Sequence, residues 1–323
     1  MIEFSDALKK SKAFRLIQND IENAMAHAYL ITATDEDIVL PLFRLVACRI
    51  FCETQNACLE CRECQKILDS VNPDVIELNA QKQTIKVGAI NELVDSAHIS
   101  SVSGVLKLYF INCADCMTGE AQNKLLKTLE EPPDGVILFL GTAKPAALLD
   151  TVKSRCRTVP IEAFDYQTVY DEIYALTSDE KISSIAAACS EGKLYAAKHI
   201  ASSPEYVETF SAVLDMLDSV KKSSDISAFI GSKKAEKNAP EFLDALSVIL
   251  RDILASDLND RLVLTMDVKD KIEKLKSEFS PMAAAQCIFV VNEAKAKLKL
   301  NVGVQVVLER MLFKILEVKY KCR

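Results

Sequence analysis

The sequence predicts an α/β protein, in which a five-stranded parallel sheet is covered by helices on both faces and is followed by segments that are entirely helical. Three observations lead to this prediction. Short apolar runs alternate with helical segments through residues 1–163. These runs are continuously apolar, as strands buried on both faces of a parallel sheet are. After Phe164 the strand signal ends, and apolar residues recur at helical spacing.

The five predicted strands are separated by helical segments, an order of elements that is typical of a parallel sheet with crossover helices. Between the third and fourth strands, Thr118 can cap a helix that Pro132 and Pro133 then stop. The predicted strands are Ala28–Thr32, Val75–Leu78, Leu108–Ile111, Val136–Leu140 and Thr158–Ile161.

Three domains are expected from the order of these elements. Residues 1–163 form the α/β domain, residues 164–207 a small helical domain, and residues 208–323 a larger helical domain. The polar segment 231–240 is predicted to be a mobile loop. In the last domain, helices are predicted over Tyr206–Val220, Phe242–Ala255, Val268–Phe279, Met282–Leu298 and Val304–Tyr320.

Composition and charge exclude several classes of protein. The net charge is −7, so the surface as a whole will not attract nucleic acid. The apolar runs fall short of the ~18 residues that span a bilayer, and the first residues lack the pattern of a signal peptide. We therefore expect a cytoplasmic protein. Eleven cysteines in such a protein indicate metal ligation and reduced thiols rather than a disulfide framework.

Four of the cysteines form a compact array in an insertion at about residues 48–66, between the first and second strands. Thiolates at this spacing can close tetrahedrally around Zn²⁺, and such a closed site would be structural. An iron–sulfur site would have a further cysteine three residues on, followed by proline. Zinc is therefore favoured over another metal or none. Cys48 could compete as a ligand, although a buried thiol is the favoured interpretation. The C-x5-C-x2-C-x2-C array consists of Cys52, Cys58, Cys61 and Cys64.

The first predicted strand is not followed by a phosphate-binding loop. Such a loop needs glycines, so that backbone N–H groups can turn toward the phosphates, and a lysine to contact them. Residues 33–37 contain neither, and the first glycine of the chain is Gly88. The three consecutive carboxylates at 35–37 would also repel a triphosphate. We therefore expect this chain to bind no ATP.

Two sequence segments carry a family resemblance. Residues 120–133 (EAQNKLLKTLEEPP) and 148–156 (LLDTVKSRC) closely resemble the matching segments of bacterial clamp-loader subunits of DNA polymerase III, which are AAA+ proteins. The cysteine array resembles the zinc module of the same proteins. The resemblance covers residues 1 to about 165 and is weaker beyond, although residues 294–302 resemble a segment of the family's last domain. It implies an AAA+ fold, with a small helical lid domain and a helical collar domain for oligomerisation.

The resembled family contains two kinds of subunit. The tau/gamma type binds and hydrolyses ATP, whereas the delta' type often does not. This chain lacks the phosphate loop and has Asn112 and Cys113 where the family places acidic, magnesium-coordinating residues. Neither side chain can replace paired carboxylates, and Asp115 lies past the ligand positions. The resemblance therefore implies a delta'-type subunit, which is not an enzyme by itself but a component of a DNA polymerase holoenzyme.

The resemblance also gives Arg155 a role. In the family, the arginine of the Ser-Arg-Cys motif projects toward the ATP of the neighbouring subunit, as an arginine finger supplied in trans. A guanidinium suits this role because it is always charged and its fork can contact several phosphoryl oxygens. The alternative interpretation of Arg155 is an interface or surface arginine bonded to backbone carbonyls. Arg157 is a second candidate, but it lies outside the motif.

The leading hypothesis is a non-hydrolysing clamp-loader subunit. It would act with the tau/gamma ATPase subunits and the delta subunit to load the sliding clamp on primed DNA during replication. An ATP-hydrolysing, tau/gamma-like subunit with a degenerate phosphate loop is the alternative, and a zinc-dependent DNA-binding module is a third hypothesis. Collar contacts are expected through apolar residues that could equally form the core of the last domain, namely Leu308, Met311, Leu312 and Ile315.

Overall fold

The computed structural model describes residues 2–78, 83–104, 106–231, 234–258, 265, 269–300 and 302–322. The chain forms two compact units, residues 1–163 and residues 164–323. The further division of the second unit into a lid and a collar remains a prediction. Among the described residues, no helix is both long enough and apolar enough to cross a membrane.

The first unit contains five parallel strands, as the sequence predicts, and seven α-helices among its described residues. The strands are β1 (Ala28–Ala33), β2 (Val75–Leu78), β3 (Lys107–Ile111), β4 (Val136–Thr142) and β5 (Arg157–Ile161). The helices are α1 (Ser5–Lys10), α2 (Lys12–Glu22), α3 (Val39–Phe51), α4 (Arg62–Leu68), α5 (Val87–Ala97), α6 (Gly119–Glu130) and α7 (Asp150–Lys153). The strands lie in the order β2-β3-β4-β1-β5.

Both faces of the sheet are buried, which explains why the strands are apolar throughout. On one face, Leu30 of β1 belongs to a core cluster that also contains Ile90 of α5 and Leu125 of α6. On the other face, Phe43 of α3 stacks on Phe110 of β3 with ring centroids 4.4 Å apart. Successive residues of a strand point to opposite faces, so a strand buried in this way needs apolar residues at nearly every position.

Gly141 allows α3 to pack closely on the sheet. A Cβ atom at this position of β4 would lie 2.5 Å from Cγ1 of Val39 and 3.0 Å from the ring of Phe110. Contacts this short do not occur between real carbon atoms, so the helix would have to move away from the strand. The close approach also positions the first turn of α3, which begins at Val39, just after the acidic residues 35–37.

The predicted start of α6 is confirmed. The hydroxyl of Thr118 accepts a hydrogen bond from the backbone N–H of Ala121 at 3.3 Å, which satisfies one of the free donors at the helix N-terminus. The helix ends at Glu130, just before the two prolines.

The described residues of the second unit form only helices and their connections. The helices are α8 (Tyr166–Thr177), α9 (Glu180–Cys189), α10 (Leu194–Ala201), α11 (Pro204–Ser219), α12 (Ser223–Gly231), α13 (Lys234–Lys237), α14 (Ala239–Leu258), α15 (Lys269–Lys276), α16 (Pro281–Lys299) and α17 (Val304–Lys321). Five of these match the helices predicted for the last domain to within a few residues. Val268, the predicted start of one of them, lies outside the described residues, as does Asn301 of the family-like segment 294–302.

The prediction of a mobile loop over residues 231–240 is wrong. Gly231 ends α12, α13 occupies Lys234–Lys237, and α14 begins at Ala239; residues 232 and 233 lie outside the described part. The segment is polar, but alanine, lysine and glutamate are strong helix formers. Polarity alone therefore indicated exposure and did not indicate a loop.

The apolar residues expected at collar contacts belong to the core of the second unit. Their exposed fractions are between 0% and 4%, so they are packed against other helices of the same unit. Their burial agrees with the interpretation of these residues as part of the domain's own core. The residues concerned are Leu308, Met311, Leu312 and Ile315.

Candidate functional site

The four cysteines of the array come together in space. Cys52 follows the last turn of α3, Cys61 precedes α4, and Cys64 lies in the first turn of α4, so two helix ends face each other across a short loop. All four sulfur atoms lie within 4.8 Å of one another. The Sγ atom of Cys52 is 3.5 Å from that of Cys58 and 4.0 Å from that of Cys61. A four-cysteine cluster of this size could bind a metal ion.

Backbone N–H groups in the loop point at the sulfur atoms. The N–H of Cys58 donates to Sγ of Cys52 at 3.4 Å, and the N–H of Cys61 donates to Sγ of Cys58 at 3.3 Å. Three loop residues without glycine's freedom adopt left-handed backbone angles, with φ between 52° and 64°. Such strain persists where the surrounding structure determines the conformation. These residues are Gln55, Ala57 and Leu59.

The cysteines differ in how readily they ionise. Burial disfavours the thiolate of Cys52, but hydrogen bonds from the backbone of Cys58 and from Thr54 outweigh burial and lower the pKa of Cys52 to about 5. Backbone hydrogen bonds also lower the pKa of Cys58. Burial raises the pKa of Cys64. Hydrogen bonds in the loop thus favour the thiolate at Cys52 and Cys58, and the thiolate is the form of cysteine that binds a metal.

Cys48 lies beside the cluster but is not part of it. Its thiol is fully buried and contacts the carbonyl oxygen of Cys64 at 3.9 Å. Burial raises the pKa of Cys48 to about 11, so the neutral thiol is favoured. The geometry therefore agrees with the interpretation of Cys48 as a buried thiol.

The loop after β1 is acidic and directs a carboxylate toward the end of β3. The thiol of Cys113 donates a hydrogen bond to Oε1 of Glu36 at 3.1 Å. Burial, followed by the nearby Glu36, raises the pKa of Cys113 to about 12, so its thiol stays protonated. The two positions that face each other at this edge of the sheet are therefore a carboxylate and a neutral thiol. The contact between Glu36 and Cys113 could not be foreseen from the sequence, because it joins residues 77 positions apart.

A second contact at the same edge joins Asp115 to β4. The hydroxyl of Thr142 donates to Oδ1 of Asp115 at 2.6 Å, and it also accepts the backbone N–H of Lys144 at 2.9 Å. Thr142 is buried. Asp115 is thus engaged by a neighbouring strand within the chain itself.

Arg155 lies near the amino ends of the strands, whereas Glu36 and Cys113 meet at the carboxyl ends. Arg155 precedes β5, whose first residue Arg157 is in register with Tyr29 of β1. Nη2 of Arg155 forms an ion pair with Oε1 of Glu130 at 2.6 Å, and Nη1 donates to the carbonyl oxygen of Thr151 at 2.9 Å. The side chain of Arg155 is 34% exposed. The carbonyl contact matches part of the alternative interpretation of Arg155, whereas the contact with Glu130 was not foreseen from the sequence.

Arg157 has a structural role. Its Nη2 atom forms an ion pair at 2.9 Å with Oδ1 of Asp20, which is only 3% exposed. The other carboxylate oxygen of Asp20 accepts the hydroxyl of Tyr29 at 3.0 Å, and that hydroxyl accepts the N–H of Ala26. Burial raises the pKa of Tyr29 to about 12. Arg157 is therefore held by a buried carboxylate that joins α2 to β1, which argues against it as the finger.

The last two helices expose apolar side chains that were not among the residues expected at collar contacts. A groove of about 480 Å³ lies along α16 and α17, and its lining includes Val306, Phe313 and Arg310. Exposure of large apolar side chains together on one surface is characteristic of interaction sites. Helical periodicity could have separated these residues from the core set on α17. The exposed apolar residues of this region are Met282, Phe289, Leu300, Val302, Val306, Phe313 and Tyr320.

Comparison with known proteins identifies related chains. The sequence model of a family described as DNA polymerase III, delta subunit, matches residues 9–165. The DNA polymerase III subunit delta' of Bacillus subtilis is 27% identical over 316 residues, which cover 95% of this chain and 96% of that protein. The DNA polymerase III subunit tau of Escherichia coli is 29% identical over 244 residues, which cover 70% of this chain and 38% of that longer protein.

Among solved structures, a DNA polymerase III gamma subunit-related protein from Thermotoga maritima aligns with 95% of this chain and 100% of its own, at 18% identity and a TM-score of 0.45. The assignment of the fold rests on the strand order and register described above. The family model thus matches the α/β unit and the Bacillus protein aligns over nearly the whole length, so this chain is similar to the delta' and tau/gamma clamp-loader subunits of DNA polymerase III.

Proposed function

We propose that this chain is a non-hydrolysing, delta'-type subunit that supplies Arg155 in trans to the ATP of a neighbouring clamp-loader subunit. Its partners are the tau/gamma ATPase subunits and the delta subunit, and through them the sliding clamp and primed DNA in the cytoplasm. The chain binds no ATP of its own. Its contribution to the reaction is the guanidinium, which stabilises the charge that spreads over the transferred phosphoryl group.

The observation that carries this proposal is the distance between Arg155 and residues 33–37, the segment after β1 where a phosphate-binding loop would lie. The loop follows the carboxyl end of β1, whereas Arg155 precedes the amino end of β5. The two strands are parallel and adjacent, with Tyr29 opposite Arg157 and Ala33 opposite Ile161. Four residues of strand span about 13 Å. Arg155 therefore cannot serve a nucleotide held at the loop of its own chain, and a phosphate that it contacts belongs to another subunit.

The contacts around the degenerate loop support the absence of nucleotide. Glu36 and Cys113 are hydrogen-bonded to each other at the carboxyl ends of β1 and β3. The carboxylate of Glu36 repels phosphate, and the neutral thiol of Cys113 cannot replace a carboxylate ligand of magnesium. Thr142 and Asp115 are joined to each other. Residues 33–37 contain neither a lysine nor a glycine that would compensate for the repulsion between Glu36 and a phosphate.

The test compares Arg155→Ala with the parent chain in a reconstituted loader that contains the partner ATPase, the clamp and primed DNA. We expect the complex to assemble and its ATP turnover to fall. Lys153→Ala is the matched control, since it removes a nearby positive charge that pairs with Asp150 and not with Glu130. Unchanged turnover in an intact Arg155→Ala complex contradicts the finger.

The alternative function is an ATP-hydrolysing subunit with a degenerate loop, and the similarity to Escherichia coli tau favours it. The isolated chain distinguishes the two. Retention of labelled ATP at micromolar concentration supports the alternative and contradicts the proposal. Absence of binding, with the partner ATPase as positive control, supports the proposal.

We also propose that Cys52, Cys58, Cys61 and Cys64 hold a structural zinc ion. The four sulfurs already lie within 4.8 Å of one another, and the strained loop between α3 and α4 gains a constraint when a metal closes it. When bound, the metal would link the two helix ends and carry out no chemistry. Zinc content near one per chain in the parent and near zero in Cys61→Ser is expected. Cys48→Ser is the control and should retain the metal.

The exposed apolar residues of α16 and α17 are our proposed collar surface. They replace the buried residues of α17 that sequence periodicity first suggested. Val306 is 65% exposed and Phe289 is 75% exposed, so substitution of either by serine should leave the chain folded. Weaker assembly with the partner subunits is expected. Unaltered assembly of the double variant contradicts this surface.

A further inference from the structure

Arg155 has a carboxylate partner within its own chain. Nη2 lies 2.6 Å from Oε1 of Glu130, and Nη1 donates to the carbonyl of Thr151 at 2.9 Å. The second contact is made to the helix turn just before Arg155, in α7. The first reaches across to the end of α6. Two groups from different elements therefore hold the guanidinium against the surface of this subunit.

Glu130 is held in place by its position. It is the last residue of α6, and Pro132 and Pro133 follow one residue later. Proline cannot continue the helix, and the residue before a proline is restricted as well, so the backbone at this end is stiff. The helix itself is anchored by Leu125 and Leu129, which are buried in the core. Glu130 therefore offers its carboxylate from a fixed point.

The ion pair is weak enough to be exchanged. Glu130 is 49% exposed and Arg155 is 34% exposed. Pairs as exposed as this contribute little to stability, because water solvates both charges nearly as well as they solvate each other. A polyphosphate carries more negative charge than one carboxylate and offers the fork a bidentate partner. It should therefore displace Glu130 when a neighbouring subunit brings it within reach.

We propose that Glu130 is a positioning residue for Arg155, which it holds on the end of α6 until the phosphates of the neighbour's nucleotide take its place. This inference rests on the proposed finger. Glu130 then competes directly with the nucleotide for the guanidinium. It raises the concentration of ATP at which the finger engages, and it does not contribute to the step after engagement.

The test replaces Glu130 by glutamine in the assembled loader and measures ATP turnover against ATP concentration. Glutamine keeps the shape of the side chain and removes the charge. We expect the KM for ATP to fall about two- to fivefold, the size of effect that an exposed ion pair can exert. We expect kcat to stay within a factor of two. A purely structural role for Glu130 would not produce this split between KM and kcat.

Two controls isolate the contact. Glu131→Gln removes the same charge from the next residue, which is exposed and has no ion-pair partner among the described residues; it should leave KM unchanged. Glu130→Gln in an Arg155→Ala background should have no effect on KM, because the competed group is gone.

An unchanged or higher KM in Glu130→Gln overturns the inference, as does a lower kcat, which would mean that Glu130 holds the finger in its working position. An equal shift in Glu131→Gln also overturns it, because the effect would then be one of general charge. If Arg155→Ala lowers turnover while Glu130→Gln changes nothing, only this inference fails. If Arg155→Ala changes nothing in an intact complex, the proposed function fails as well.

Discussion

At the scale of single residues, Arg155 and Arg157 illustrate how two similar side chains acquire different roles. Arg157 contacts a carboxylate that is 3% exposed, whereas the partner of Arg155 is 49% exposed. A charge paired in the interior is costly to separate, and one paired at the surface is not. The structure thus makes Arg157 an anchor of the fold and leaves Arg155 able to change partners.

Asp20→Ala should destabilise the first unit by about 1–3 kcal/mol, because it removes the acceptor for Tyr29 and Arg157 in a buried place. Urea unfolding followed by tyrosine fluorescence and circular dichroism would measure the change. Asp134→Ala, at an exposed position before β4, is the matched control and should be neutral. Equal stability of the two variants would show that Asp20 is not an anchor.

Gly141→Ala should lower the free energy of unfolding by about 1–3 kcal/mol, because the new Cβ would lie 2.5 Å from Val39. Gly119→Ala is the control: the space around Gly119 is open and the residue begins α6, where alanine is the better helix former. That variant should be neutral or stabilised. Thermal unfolding of both proteins checks the prediction, and a neutral Gly141→Ala would contradict the close approach of α3.

At the scale of elements, the second unit is tied together by one glutamate and two lysines. Glu278, just after α15, pairs with Lys221 after α11 and with Lys319 of α17. The ammonium of Lys319 also lies 4.8 Å from the ring centroid of Phe279. Lys319 is only 2% exposed. Three elements distant in sequence therefore meet at one carboxylate.

Glu278→Gln should destabilise the second unit by about 2–4 kcal/mol, since it leaves the buried Lys319 without a charged partner. Glu293→Gln removes an exposed ion pair of α16 and should cause no measurable change. Chemical denaturation at neutral pH compares the two variants. A stable Glu278→Gln protein would contradict the assigned role of the cluster.

The same carboxylate predicts a dependence of stability on pH. Burial alone would raise the pKa of Glu278, but Lys221 and Lys319 outweigh burial and lower it. A group whose pKa is lower in the folded state stabilises the fold above its unfolded value and loses that effect as the pH falls through the folded value. The parent should therefore lose stability as the pH drops below about 4.3, the ordinary value for glutamate. Glu278→Gln should lack this component, and identical pH profiles would contradict the prediction.

Removal of metal should loosen the loop between α3 and α4 and leave the sheet intact. With a chelator, we expect hydrogen exchange to increase in the loop between α3 and α4 and to remain slow in β3 and β4, whose residues are fully buried. In Cys61→Ser the chelator should have no further effect. Equal exchange with and without chelator in the parent would contradict a bound structural metal.

At the scale of the whole molecule, much of the fold could be predicted because its signals are local. The strands of the buried sheet are uninterrupted apolar runs, and α6 is bounded by a capping threonine and two prolines. The four cysteines of the array are close in sequence, so their spacing predicts a cluster. The helix α13 was missed because a short polar helix has the composition of a loop.

The contacts that define the site could not be predicted in the same way. Glu130 and Arg155 are 25 positions apart in sequence, and Glu36 and Cys113 are 77 apart. No periodicity or spacing rule joins residues at such separations; only the order of strands in the sheet does.

Arg155 is proposed to act on a nucleotide held by a neighbouring subunit. ATP turnover of the loader assembled with the partner ATPase, clamp and primed DNA tests it most directly when Arg155→Ala and Lys153→Ala are compared with the parent. We expect an intact complex in every case, with turnover at least tenfold lower in Arg155→Ala alone, by analogy with the ~10³–10⁵-fold effects of such arginines in GTPases. Parental turnover by an intact Arg155→Ala complex would contradict it.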